Sequence, residues 1–201
     1  MNGGEPAFVV GHDWGASATY STSAFHPERI RRAVTIAIGP PGGTLRIFER
    51  PDILHYAFHF WLFQLPVYAE LAVRANDFAM IDYLWNLWSP GIEDAEHIKR
   101  VKETLSGPNA VENALGYYRA MIQFPGTHPE ASQRMLTEPI GVPTMLVMGD
   151  HDLALIGGSQ DDEKLFSAEF RFEPVAGAGH FVQRQQPETL TKLIVEWLGE
   201  A

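Results

Sequence analysis

Three short apolar runs, each followed directly by a glycine, most strongly constrain the fold of this chain. They cover residues 7–10, 33–38 and 144–148. Continuous apolar runs are typical of strands that are buried on both faces of a sheet. A fourth run, residues 169–173, alternates between aromatic and charged side chains, which favours an edge strand.

Helical patterns lie between these runs, at residues 16–25, 161–166 and 187–198. Strands that alternate with helices predict βαβ units, so we expect an α/β fold with a mostly parallel sheet. Residues 51–134 differ because aromatic side chains crowd there, prolines interrupt the helical pattern, and no strand pattern occurs. We therefore predict an inserted all-helical domain at 51–134, which we call the cap, and a core formed by residues 1–50 and 135–201.

Composition excludes several classes of protein. The formal net charge is −10, whereas a nucleic-acid-binding protein needs a basic face, so we do not expect this chain to bind nucleic acid. The chain has no cysteine, which excludes disulfides and thiolate chemistry. The most apolar stretch is interrupted by polar residues, so we expect no membrane span. The first residues lack the pattern of a signal peptide, and a cytoplasmic location is expected.

The strongest chemical motif is Gly11-His12-Asp13-Trp14-Gly15, which lies between the first predicted strand and the first predicted helix. This layout is that of a nucleophile elbow, in which a sharp turn leaves no room for Cβ atoms beside the central residue. The centre is Asp13, at a helix N-terminus that favours an anion. An aspartate here is also a common helix N-cap, which is the alternative interpretation.

Two further groups follow later strands. Asp150 and Asp152 come directly after the third run, and His180 comes after the fourth. With Asp13 first, the chain order is nucleophile, acid, histidine, which is the order of the α/β-hydrolase triad. All of these positions fall at the carboxyl ends of predicted strands, where open α/β sheets bind ligands.

Three motifs carry a resemblance to a known family, namely GHDWG at residues 11–15, GDHD at 149–152 and GHF at 179–181. With the helical insertion, the chain resembles α/β-hydrolases of the epoxide hydrolase and haloalkane or haloacetate dehalogenase group. The resemblance implies an α/β-hydrolase fold with a cap, the nucleophile Asp13, the base His180, and Asp152 rather than Asp150 as the acid that orients it. It implies no metal and no cofactor.

The residue types suit a two-step reaction on a small apolar epoxide or organohalide. A carboxylate such as Asp13 attacks sp3 carbon and forms an ester on the enzyme. His180, oriented by Asp152, then activates the water that hydrolyses the ester. The backbone N–H of Trp14 is expected to help hold the oxyanion, and its indole N–H is a candidate donor to the substrate.

The cap is expected to supply donors to the leaving group. By family resemblance Tyr118, the tyrosine before Arg119, faces the nucleophile, whereas a packing role is expected for Tyr117. His59 lies seven positions before Pro66, where many epoxide hydrolases have tyrosine. Phe60 stands where fluoroacetate dehalogenases carry tryptophan, which favours epoxide opening over dehalogenation.

Two alternatives remain open at the level of sequence. A haloalkane or haloacetate dehalogenase would use the same Asp13 nucleophile. A protein of another class, without catalytic activity, would bind apolar ligands or pair with a second copy as a homo-oligomer. This second alternative arises because family members have further strands before the nucleophile. We therefore expect an incomplete core whose first strand is an exposed apolar edge.

Overall fold

The sheet consists of four parallel strands whose spatial order follows the chain. The computed structural model describes residues 4–44, 49–122, 129–152 and 158–199. The strands are β1 (Ala7–His12), β2 (Ile30–Ile36), β3 (Thr144–Gly149) and β4 (Phe170–Val175). Because all four run in the same direction, their carboxyl ends meet on one side of the molecule. The prediction of a parallel α/β sheet is confirmed.

Several element boundaries differ from the sequence prediction. Strand β2 ends two residues earlier than predicted because Ala37 has a φ of 68°, which no strand accommodates. Strand β4 continues through Pro174, which is tolerated because β4 has a neighbour on one side only. The helix predicted at residues 161–166 is a 3-10 helix, Gln160–Leu165.

Strand β1 is the one apolar run that is not buried on both faces. Its residues alternate in exposure, and Phe8 and Val10 are 43% and 46% exposed. Strand β3, in contrast, is buried throughout. The expectation that an apolar run is covered on both faces is therefore correct for β3 and wrong for β1.

Helices cover both faces of the sheet. Helix α1 (Trp14–Phe25) packs Ala16 and Tyr20 against Ala33 of β2. On the other face lies the helix Pro187–Gly199, whose buried Trp197 packs against Val34. Neighbouring strand residues point to opposite faces, so Ala33 and Val34 are covered from opposite sides. The sheet is thus packed on both faces beneath the carboxyl ends of its strands.

Helices fill the chain between β2 and β3, and no strand occurs there among the described residues. In chain order they are α2 (Pro41–Thr44), α3 (Pro51–Leu54), α4 (Phe58–Leu62), α5 (Tyr68–Trp88), α6 (Ala95–Leu105), α7 (Ala110–Ile122) and α8 (Pro129–Thr137). Helix α5 is interrupted by non-helical backbone at residues 75–78. Several of these helices bury a hydrophobic cluster of their own that includes Phe63, Leu84 and Leu115.

The last two helices of the chain are α9 (Val182–Gln185) and α10, the helix Pro187–Gly199 already described. Helix α9 follows directly after the loop that carries His180. Within the described ranges, no helix is long and apolar enough to cross a membrane.

Candidate active site

Asp13 occupies a strained turn between β1 and α1. Its φ of 52° and ψ of −117° lie outside the regions that non-glycine residues usually adopt. A Cβ atom on Gly11 would lie 2.3 Å from the carbonyl oxygen of Gly15, so the turn requires glycine at position 11. A Cβ atom on Gly15 would meet no described atom within 4 Å, so the steric expectation is correct at Gly11 and wrong at Gly15.

The structure brings Asp13, Asp152 and His180 together. Nε2 of His180 lies 3.4 Å from Oδ2 of Asp13, and Nδ1 lies 3.2 Å from Oδ2 of Asp152. Each residue comes from the loop that follows a different strand. The imidazole thus stands between two carboxylates, and Asp152 and His180 are only 3% and 7% exposed.

Asp150 has a separate role. Its Oδ1 accepts a hydrogen bond of 2.9 Å from the backbone N–H of Gly177. Asp152, two residues later, is the carboxylate that contacts His180. The order of residues along the chain does not show which of the two acids contacts the histidine, whereas their positions in the structure do.

The two carboxylates control the charge of His180. Burial alone would lower the pKa of the imidazole, but the charge of Asp152 and the contact with Asp13 outweigh burial and raise the pKa to about 10. Burial likewise raises the pKa of Asp13, and the contact with His180 more than offsets this, so the pKa of Asp13 lies below its usual value. At neutral pH the resting site therefore contains an anionic Asp13 beside an imidazolium.

Tyr118 and His59 are brought to the same site from helices α7 and α4. Burial and the charge of Asp13 raise the pKa of Tyr118 above its usual value, although a hydrogen bond from Trp14 opposes the shift. Burial lowers the pKa of His59 to about 4, against the opposing charge of Asp13. The Tyr118 and His59 rings are 5.6 Å apart in an edge-to-face arrangement. Both are therefore neutral at pH 7 and can donate hydrogen bonds.

Tyr117 is 60% exposed, so its expected packing role in the core of the cap is wrong. Its ring lies 5.5 Å from that of Trp14, at the surface of the site. Successive helical residues point in directions about 100° apart, which explains why Tyr118 is turned inward and Tyr117 outward.

The end of helix α5 also contacts the site, which the sequence does not indicate. The ring of Trp88 lies 4.9 Å from the ring of His59 and 5.6 Å from that of His180. The side chain of Ser89 is hydrogen-bonded to the loop that carries His180. The sequence signal was limited to Pro90, which marks a helix end without indicating what that end contacts.

We find no set of metal ligands in the part of the chain that the structure describes. No group of three or more histidine, aspartate or glutamate side chains is arranged there to hold an ion.

The chain is similar in sequence to several known proteins and similar in fold to several solved structures. The chain is 28% identical to Epoxide hydrolase 3 of Xenopus tropicalis over 96% of its own length and 52% of that protein's. The chain thus spans about half the length of the curated relatives it matches. No protein-family profile matches it.

Solved structures share the fold at lower identity. Epoxide Hydrolase A from Mycobacterium thermoresistibile superposes with a TM-score of 0.76 at 17% identity, covering 97% of this chain and 70% of that one. A haloalkane dehalogenase loop variant from Bradyrhizobium elkanii gives a TM-score of 0.77 at 16% identity, with coverage of 98% and 68%. The fold is that of the α/β-hydrolases. In sequence, the chain is similar to proteins named epoxide hydrolases.

Proposed function

We propose that this chain carries the catalytic groups of a hydrolase that opens epoxides through an ester on Asp13. The observation that carries the proposal is the position of His180, 3.4 Å from Asp13 and 3.2 Å from Asp152. Relatives named epoxide hydrolases support the choice of substrate class. This chain spans about half the length of those relatives. The proposed activity is therefore assigned to the whole protein, whether or not that protein extends beyond this chain.

In the first step, a carboxylate oxygen of Asp13 attacks one epoxide carbon and the ring C–O bond breaks. The low pKa of Asp13 keeps this carboxylate anionic. The ring oxygen takes a proton from the phenol of Tyr118, while His59 donates a hydrogen bond. A phenol with a raised pKa remains protonated until an alkoxide develops beside it.

In the second step, the charge of Asp13 is absent because the carboxylate has become an ester. This removes one of the two charges that raise the pKa of His180. The imidazolium releases its proton, which returns through solvent to the phenolate of Tyr118. The neutral His180 ring then takes a proton from the attacking water. The water oxygen attacks the carbonyl carbon of the Asp13 ester, whose oxyanion accepts a hydrogen bond from the Trp14 backbone N–H. When this intermediate collapses, the proton of its new hydroxyl passes to the departing alkoxide oxygen. The neutral diol is released and the Asp13 carboxylate is restored.

The ester can be trapped in a His180→Gln variant because that variant lacks the base for the second step. We expect mass spectrometry to show an adduct of one substrate mass on the peptide that contains Asp13 after incubation with a panel of epoxides. Asp13→Asn, treated identically, should remain unmodified. Absence of an adduct on His180→Gln with every epoxide and organohalide would overturn the proposal and favour a non-catalytic protein that binds apolar ligands.

Dehalogenation is the second candidate, and Trp88 is the observation that favours it. Its indole Nε1 is buried and has no hydrogen-bond partner within the described residues. The Trp88 ring lies beside the rings of His59 and His180, and an N–H donor without a partner suits a departing halide. The chemistry of Asp13 would be unchanged. Measurement of diol and free halide with matched substrates separates the two functions. Halide release without diol formation would replace the first candidate by the second.

A further inference from the structure

The end of helix α5 is bound to the backbone of the loop that carries His180. The N–H of His180 donates a hydrogen bond of 2.8 Å to the carbonyl of Trp88. The next N–H, that of Phe181, donates a hydrogen bond of 3.0 Å to Oγ of Ser89. Ser89 is fully buried, so water does not replace it as an acceptor. Two successive N–H groups at His180 are thus bound by the cap.

This contact is unusually close. A Cβ atom on Gly179 would lie 2.2 Å from the carbonyl oxygen of Trp88 and 2.6 Å from Cα of Ser89. Real Cβ atoms do not approach other atoms so closely, so position 179 requires glycine for the helix end to reach the loop. The ring of Trp85 stacks on Phe181 at 3.9 Å with an interplanar angle of 14°. Backbone and ring contacts together hold the helix end on the loop.

The core holds the same loop from its other side. The carbonyl of His180 lies 2.9 Å from Nε2 of His12, which donates the hydrogen bond. The N–H of Gly179 donates to Oε1 of Gln185 at 2.7 Å. Removing the Ser89 hydroxyl would therefore leave the core contacts and the Trp88 carbonyl in place, and would take away only the acceptor of the Phe181 N–H on the cap side.

We infer that Ser89 is a positioning residue that holds the His180 imidazole in place for hydrolysis of the ester. The inference rests on the proposed function. The side chain of His180 extends from a backbone segment whose flanking N–H groups are bound by Trp88 and Ser89. Loss of the Ser89 acceptor leaves the part-buried N–H of Phe181 without a partner, so the segment lowers its free energy by moving that N–H toward water. The imidazole then leaves its 3.2 Å contact with Asp152.

The two catalytic steps should respond differently to Ser89→Ala. Attack by Asp13 does not use His180 as a base, whereas hydrolysis of the ester does. We expect rapid-quench mass spectrometry to show ester formation at close to the wild-type rate and hydrolysis slowed about 10- to 100-fold. The adduct on Asp13 should accumulate in Ser89→Ala as it does in His180→Gln.

Asp94→Asn is the matched control. Asp94 lies in the cap and pairs with Arg184 of the core at 2.6 Å, so this variant also removes a cap-to-core contact. It does not bind the backbone of residues 179–181, and we expect both rates to stay near wild type. Equal slowing in Asp94→Asn and Ser89→Ala would indicate that any loosening of the cap suffices, and would overturn a specific role for Ser89.

A spectroscopic measurement tests the same inference without turnover. Proton NMR should show a low-field Nδ1–H signal from the His180–Asp152 pair in wild type, which Asp152→Asn identifies by its loss. We expect this signal to broaden or disappear in Ser89→Ala. If Ser89→Ala does not fold, Ser89→Cys takes its place, with a weaker acceptor and a smaller expected effect. An unchanged signal in the folded variant would overturn the inference, even where no ester forms and the proposed function itself fails.

Discussion

Nε2 of His180 lies 3.4 Å from Oδ2 of Asp13, so the candidate base forms an ion pair with the candidate nucleophile in the resting site. In the proposed reaction, this ion pair ensures that ester formation on Asp13 comes before His180 acts as a base. While Asp13 is anionic, His180 stays protonated and cannot act as a base. Once Asp13 is esterified, the charge that held the proton is gone, and the base becomes available for the step that needs it.

Asp152→Asn tests which acid orients His180. The amide cannot supply the negative charge that raises the pKa of the imidazole, and it favours the wrong ring tautomer. We expect hydrolysis of the ester to slow on the order of 10³-fold or more, measured by single-turnover kinetics. Asp150→Asn is the matched control, because Asp150 contacts the backbone of Gly177 instead. Comparable slowing in the two variants would contradict the assignment.

Tyr118→Phe tests the proton donor to the epoxide. Removal of the phenol should slow ester formation from an epoxide about 10²-fold, because the developing alkoxide loses its acid. Halide is a leaving group that needs no proton, so ester formation from an organohalide should change far less. Tyr117→Phe removes the hydroxyl of the exposed neighbouring ring and should leave both rates unchanged. Equal losses with epoxide and halide in Tyr118→Phe would argue against an acid role.

The raised pKa of His180 predicts how stability depends on pH. The folded pKa of about 10 exceeds the unfolded value of about 6.5, so the folded state binds the proton more tightly. This contribution is fully present below pH of about 6.5 and is lost progressively as pH rises to about 10. Denaturant unfolding of wild type and His180→Gln should show that the stability difference in favour of wild type shrinks over this range. A difference in unfolding free energy that stays constant or grows with pH would contradict a raised pKa of His180 in the folded state.

The sequence predicted the parts of the site that depend on local order along the chain. Glycines after apolar runs indicated the approximate ends of the strands, and the sequence around Asp13 indicated the strained turn. Parallel strands then bring Asp13, Asp152 and His180 to one side, because each follows a different strand. These features need only the alternation of strands and helices, which is visible in a single sequence.

The contacts between the cap and the His180 loop could not be predicted in this way. The hydrogen bond from Phe181 to Ser89 joins residues whose separation along the chain is 92, and neither residue type indicates its partner. The distinction between Tyr117 and Tyr118 depended on how α7 is rotated about its axis. The exposure of Phe8 and Val10 depends on which elements lie beside β1, which an apolar run alone does not indicate.

Oxygen labelling distinguishes an ester on Asp13 from direct attack by water on the epoxide, because the two routes leave the label in different places. A single turnover of epoxide would be run in H₂¹⁸O with enzyme in excess, and the diol and the peptide containing Asp13 would be weighed. If Asp13 forms the ester, the diol carries no ¹⁸O and Asp13 gains it, since water attacks the carbonyl carbon of the ester. A first-turnover diol that carries ¹⁸O, with an unlabelled Asp13, would show that water attacks the epoxide directly and that no ester forms.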